Sequence, residues 1–129
     1  MQKKLIESNA ALKAIGPYSQ AVAYGKFIFL SGMLPIHPLT GELVKGNISI
    51  QATQVLENIK HLLEETSSSL DHVLNSNHFL KDLEHFQTVN QVYASYFGES
   101  LPARSCIEVS LIPKDALIEI EVIAGTNLN

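Results

Sequence analysis

Residues 117–124 read Leu-Ile-Glu-Ile-Glu-Val-Ile-Ala, and their alternation constrains the fold more than any other stretch. Successive side chains of a strand point to opposite faces of a sheet. Ile118, Ile120, Val122 and Ala124 therefore make one fully apolar face, while Leu117, Glu119, Glu121 and Ile123 make the other. An apolar face of this kind has to be buried, and helices packed on a sheet are one stable way to bury it. Two segments have the required periodicity. Ala52, Val55, Leu56, Ile59, Leu62 and Leu63 recur at helical spacing, as do Phe86, Val89, Tyr93, Tyr96 and Phe97.

The remaining elements fit around that core. Leu5-Ile6 can start an edge strand, and Asn9 to Ile15 reads as irregular. Gly16-Pro17 marks a turn that leaves the chain extended before Tyr18. Ala21 to Tyr24 leads into a tight turn at Gly25-Lys26, and Phe27 to Leu30 follows as a strand with both faces apolar. Such a strand needs cover on both sides, and in so small a domain the second cover can be another subunit. Asn47 is suited to cap the first helix and Asp82 the second, with Gly98 at the latter's C-terminus. Ser67-Ser68-Ser69 is a loop, and Val73 to Leu80 a rather polar strand. Arg104 to Leu111 and Leu117 to Ala124 are the third and fourth strands, joined around Pro113-Lys114-Asp115. The order strand-helix-strand-helix-strand-strand predicts an α+β fold with both helices on one face of the sheet. Residues 1–129 form a single domain without internal repeats.

Composition narrows the function. The chain carries a net charge of -4 with 46% apolar residues, so it can build a core but lacks the basic footprint of a nucleic-acid binder. The opening residues carry charge without an apolar core, so no secretory signal is expected, and no apolar run has the length of a membrane span. One cysteine, Cys106, can form neither an internal disulfide nor a cysteine-based metal site. That fits a reducing compartment, and a cytoplasmic protein is expected. The histidines, His37, His61, His72, His78 and His85, lack metal-ligand spacing.

Arg104 stands at the start of the third strand, inside Pro102-Ala103-Arg104-Ser105-Cys106. A partly buried arginine is costly unless an anion meets it. If Ile107, Val109 and Leu111 are that strand's core face, Arg104, Cys106, Glu108 and Ser110 point away from the helices, alongside Glu119 and Glu121. That face would mix charge with Leu117 and Ile123. It could be covered by a symmetric oligomer whose sheets face one another, or be a wet face with scattered carboxylates. An internal salt bridge from Arg104 to Glu119 or Glu121 is the simplest non-functional reading.

At this point the chain resembles the RidA/YjgF family, the reactive enamine/imine deaminases. The matching pieces run nearly end to end: IGPYSQAV at 15–22, FLSGMLP at 29–35, QVLENIK at 54–60, FLKDLEHFQTVNQVY at 79–93, PARSCIEV at 102–109 and IEIEVIA at 118–124. The resemblance implies a chorismate-mutase-like fold, a homotrimer with sites between subunits, and a strand lying between the third and fourth strands. It implies hydrolysis of 2-iminobutanoate and 2-iminopropanoate to 2-keto acids and ammonia, with no cofactor and no metal. By the same resemblance Arg104 clamps the substrate carboxylate and Glu119 positions the attacking water. Cys106 helps through its backbone, and Tyr18, Ser31, Gly32 and Asn90 line the pocket.

Three features depart from the family pattern: Met33, where glutamine is common; His78, where an aliphatic residue is usual; and the loop Ser67 to Ser69. Two other functions stay open, a trimer that binds small keto acids without turnover and an endoribonuclease or translation inhibitor. The partners expected are a small 2-imino acid and further copies of the chain, with neither membrane nor nucleic acid.

Overall fold

The computed structural model describes residues 2–8, 14 and 16–127. The irregular stretch expected over Asn9 to Ile15 lies outside them, except for Ala14. Strands β1 (Lys4–Ile6), β2 (Ala21–Tyr24) and β3 (Phe27–Leu30) precede helix α1 (Ile48–Glu65). Strand β4 (Val73–Leu80), helix α2 (Phe86–Phe97), and strands β5 (Ala103–Glu108) and β6 (Ile118–Gly125) follow. They form one six-stranded sheet in the order β1-β2-β3-β6-β4-β5. Every pairing is antiparallel except β4 with β5. β4 thus separates the last two strands, as the family resemblance implied. Gly25, at φ 62, makes the short β2–β3 turn in a left-handed conformation that glycine adopts without steric cost.

The core forms as the alternation of β6 requires. Ile118, Ile120, Val122 and Ala124 are buried against Val55, Leu56, Ile59, Leu62 and Leu63 of α1 and Val89, Tyr93 and Phe97 of α2. Asn47 caps α1, its side chain accepting a 3.0 Å bond from the Ile50 amide. Asp82 does not cap α2. It caps a short 3₁₀ turn, Leu83–His85, accepting from the Glu84 amide at 2.9 Å, and α2 starts after that turn. The local cap chemistry is as expected, but the first turn winds more tightly than an α-helix.

The third strand departs from expectation in length and in face. It ends at Glu108, and Leu111 lies beyond it, 76% exposed. In the parallel register Arg104 lies opposite Ser76, Cys106 opposite His78 and Glu108 opposite Leu80. Those three β4 residues lie opposite Val122, Ile120 and Ile118. Paired residues share a face, so Arg104, Cys106 and Glu108 are on the helix side and Ser105 and Ile107 on the other. Ile107 is 51% exposed. β5 is a sheet edge, where apolar residues need not mark the core face, and alternation alone assigned it to the wrong side.

The helix-free face carries Phe27 and Phe29, 49% and 42% exposed, next to Ile123, Glu121 and Glu119. β3 therefore has its helix-side cover, from Ile28 and Leu30 inward, but within one chain its other side is open. Replacing the α1 cap should have a local cost. Asn47→Ala is expected to lower unfolding stability by about 1 kcal/mol in urea titration, with an unchanged near-neutral spectrum of the folded state.

Candidate functional site

The sequence-derived site residues fall into two groups on opposite faces of the sheet. The first lines an open cleft of ≈ 690 Å³ formed by Tyr18, Ser31, Gly32, Glu119 and Glu121, with Leu34, Ile36, Pro113 and Lys114. Its geometry starts at the end of β3. Ser31 donates from its backbone to Gln20 O at 3.0 Å and from its hydroxyl to Ser19 O at 2.6 Å. Met33 then pairs with Ile120, N to O at 2.7 Å one way and 3.1 Å the other. These bonds hold Ser31-Gly32 flat against Glu119. A Cβ on Gly32 would come within 2.9 Å of Glu119 Cδ and nearer still to Oε2. Only glycine leaves the carboxylate where it is. Met33, one of the departures from the family pattern, contributes through its backbone.

Glu119 is half-buried, and burial pushes its carboxyl above the ordinary value, helped by the negative charge of Glu121. Glu121 itself accepts from Asn77 Nδ2 at 3.1 Å. The Tyr18 ring is exposed at the cleft edge, with its backbone amide bonded to Gly16 O at 2.9 Å. The cleft can thus offer a carboxylate tuned toward proton transfer, beside the hydroxyls of Ser31 and Tyr18.

The second group lies under α2. Arg104 Nη1 donates to Asn90 Oδ1 at 2.6 Å. Its guanidinium lies over two rings, 5.1 Å from the Phe86 centroid and 5.4 Å from that of Tyr93. A planar, weakly hydrated cation suits such a setting. Among the described residues no carboxylate forms an ion pair with Arg104, so the internal salt bridge to Glu119 or Glu121 is not formed. The charge remains available to an incoming anion. Cys106 is half-buried nearby, and burial pushes its thiol up, against the opposing effect of Arg104. A thiol of that kind is a poor nucleophile.

Beneath Arg104 lies a buried polar cluster. Ser76 Oγ and His78 Nε2 are 2.7 Å apart, and the imidazole meets the Tyr93 ring edge-on at 4.8 Å. Burial, then the charge of Arg104, lowers the His78 pKa to about 4. Burial pushes the Tyr93 hydroxyl above its usual value, opposed by Ser76 and Arg104. Among the described residues His78 Nδ1 has no hydrogen-bond partner, and the Tyr93 hydroxyl has only Ser76 near it, outside good hydrogen-bond geometry.

The structure brings Tyr18, Ser31, Gly32 and Glu119 together, and separately Arg104, Asn90 and Cys106. It does not bring Arg104 to Glu119 within one chain. Sequence reasoning treated Phe86 and Tyr93 only as part of the core stripe of the second helix and Glu121 as structural or solvated, yet both rings carry Arg104 and Glu121 acts on Glu119. The spacing of Phe86, Asn90 and Tyr93, at i, i+4 and i+7, was the available signal: it sets all three on one helical face. Among the described residues no cluster of three or more acidic, histidine or cysteine side chains could hold a metal, and no helix is long and apolar enough to cross a membrane.

A fold of this topology with these two groups defines a class of small α+β proteins, and comparison with known proteins places the chain within it. Residues 8–126 match the family model described as Endoribonuclease L-PSP. A RutC family protein of Pyrococcus abyssi is 54% identical over 124 residues, covering 96% of this chain and 98% of its own. Two solved structures are similar at 39% identity and TM-score 0.90: TdcF of E. coli with bound serine, and RidA of an Antarctic Psychrobacter. The first covers 96% of this chain and 99% of its own, the second 95% and 98%. The chain belongs to this L-PSP family, which is the RidA/YjgF family its motifs resemble.

Two pH-linked outcomes follow from the geometry. Replacing Glu121 by Gln removes a like charge, so the Glu119 carboxyl should titrate at lower pH, read by carboxyl carbon NMR. His78 should make folding acid-sensitive. Above its ordinary pKa of 6.5 the folded and unfolded chains are both neutral there. As pH falls from 6.5 towards about 4, only the unfolded chain takes up the proton, so stability declines by roughly 3 kcal/mol. His78→Val should lack that decline in urea titrations run across the same pH range.

Proposed function

We propose that this chain hydrolyses small 2-imino acids to 2-oxo acids and ammonia, at a composite site made where the Arg104 group of one copy meets the Glu119 cleft of another. The observation that carries this reading is the division of the site. Arg104 has two ring platforms and an amide but no anion, and Glu119 stands in a cleft on the opposite face with no arginine. Each is half of a site, and the exposed Phe27 and Phe29 beside the cleft supply an apolar surface for an assembly. The relative solved with serine adds support, since serine carries the same α-carboxylate that Arg104 would hold.

The chemistry asks little of the protein. Carbon 2 of an imino acid is already electrophilic. The guanidinium fork fixes the carboxylate bidentately. Water adds across C=N as Glu119 takes its proton and passes it to the nitrogen, giving a carbinolamine and restoring the carboxylate. Glu119 then relays the hydroxyl proton to nitrogen, the C–N bond breaks, and ammonia leaves as the carbonyl forms. A carboxyl raised above its usual value by burial is nearer the pH at which it can both accept and return that proton. Tyr18 and Ser31 line the substrate's side of the cleft, Gly32 admits the carboxylate, and Cys106 serves by its backbone. The small apolar wall from Leu34 and Ile36 favours short alkyl side chains. Cleavage of RNA fits this cleft poorly, because Glu119 and Glu121 would repel a phosphate.

The test generates 2-iminopropanoate in place with an amino-acid oxidase and traps what remains with semicarbazide. The wild type should divert imine to pyruvate and run in light scattering at about three times 14.2 kDa. Arg104→Ala should lose saturable activity. Glu119→Gln should lose ~10²–10⁴-fold in rate while still binding 2-oxobutanoate. A wild type that leaves the trapped imine unchanged would remove the reading. Retained binding without any turnover in the wild type would favour a non-catalytic keto-acid binder.

A further inference from the structure

His78 breaks a local rule. It stands in the core, 1% exposed, where Ile118, Ile120, Val122 and Leu80 share its face of the sheet. Its Nδ1 has no partner among the described residues, and the Tyr93 hydroxyl beside it has only Ser76 near, outside good hydrogen-bond geometry. An apolar side chain would avoid leaving a polar nitrogen unpaired. Breaches of this sort concentrate where function demands them, and this one sits directly behind Arg104.

Three side chains of α2 hold Arg104, and they differ in how firmly they are held. Phe86 is exposed and Asn90 only partly covered, whereas Tyr93 is buried. Tyr93 is the rigid member, and its ring is fixed by two neighbours: Phe97, tilted at 4.4 Å, and His78, edge-on at 4.8 Å and 64°. His78 is itself tied at Nε2 to Ser76. A continuous line therefore runs from Ser76 through His78 and Tyr93 to the guanidinium.

We propose that His78 is a positioning residue for Arg104, its uncharged imidazole fixing the Tyr93 ring against which the guanidinium lies. The inference rests on the reading that Arg104 holds the substrate carboxylate. The imidazole has to stay neutral for this. The titratable and charged groups around it are Arg104 and Cys106 from β5 and Tyr93 from α2, while Glu108, further along that face of β5, is turned to the Leu83 amide at 3.0 Å; β6 offers Ile120 there, β4 offers Ser76. The core face of α1 is apolar apart from Gln51, which bonds Val44 O and the Leu117 amide. With no carboxylate among these groups, a proton on His78 sets a second cation next to Arg104, and one of the two must move.

The experiment reads Arg104 directly, in the full-length protein without ligand, and then reads ligand affinity. In the wild type near pH 7 the Arg104 Nε–H signal should be displaced from that of free arginine by the ring current of Tyr93. It should drift back as pH falls towards the His78 titration, while the amide spectrum still reports a folded chain. His78→Val should bring the signal towards the free position already at pH 7 and abolish the drift. The same variant should weaken 2-oxobutanoate binding roughly three- to tenfold, and raise KM for imine rather than lower kcat. His61→Val, at an exposed histidine of α1 outside this line, should leave signal and affinity at the wild-type values. An unchanged Arg104 signal and an unchanged affinity in His78→Val would overturn the inference. Absence of imine hydrolysis in a wild type that shows the expected signal pattern counts against the deaminase reading and leaves the positioning role standing.

Discussion

The contact between the apolar face of β6 and the two helices is the constraint on which the rest depends. Burying Ile118, Ile120, Val122 and Ala124 sends Glu119 and Glu121 to the opposite face. Because β6 sits between β3 and β4, that opposite face is also where Ser31-Gly32 arrives from β3. The cleft is a consequence of core packing as much as of its own hydrogen bonds. The same burial that drives the fold sets the dielectric in which Glu119 titrates.

Arg104 illustrates the reverse case, a charge placed on the helix side. A guanidinium there would be costly in a fully apolar setting. It is tolerable because β5 is the sheet edge, because α2 offers two ring faces, and because Asn90 accepts a hydrogen bond. The polar residues of β4, Ser76 and His78, extend this partly polar zone inward. The core thus grades from apolar under α1 to polar under α2, and the grading follows the sheet from β6 to β5.

The division of chemistry between two faces has a consequence for function. The proposed carboxylate clamp and the proposed proton-transfer carboxyl lie in the same chain on opposite sides of one sheet, so within one copy they cannot act on one small molecule. The proposed assembly resolves this by joining unlike halves of neighbouring copies. It also gives the exposed phenylalanines of β3 a reason to be there, since an apolar patch beside a charged cleft is otherwise unfavourable in water.

Much of the fold was legible in the sequence because periodicity and cap chemistry are local. The alternation of residues 118–124, the helical stripes, the Asn47 cap and the extent of β4 all depend on side chains within a few positions of each other. Family motifs suggested Tyr18, Ser31, Gly32, Asn90, Arg104, Cys106 and Glu119 as one set of site residues. What the sequence could not determine was the side of the sheet on which Arg104 points. Apolar alternation marks the inward face only where one face is buried and the other wet. At an edge strand next to an uncovered face, Ile107 is apolar and outward while Arg104 is charged and inward. Register with β4, a relation between residues far apart in the chain, decided the matter. The tertiary structure therefore divided the expected site residues between two faces, because strand pairing, and not composition, determines which side chains share a face.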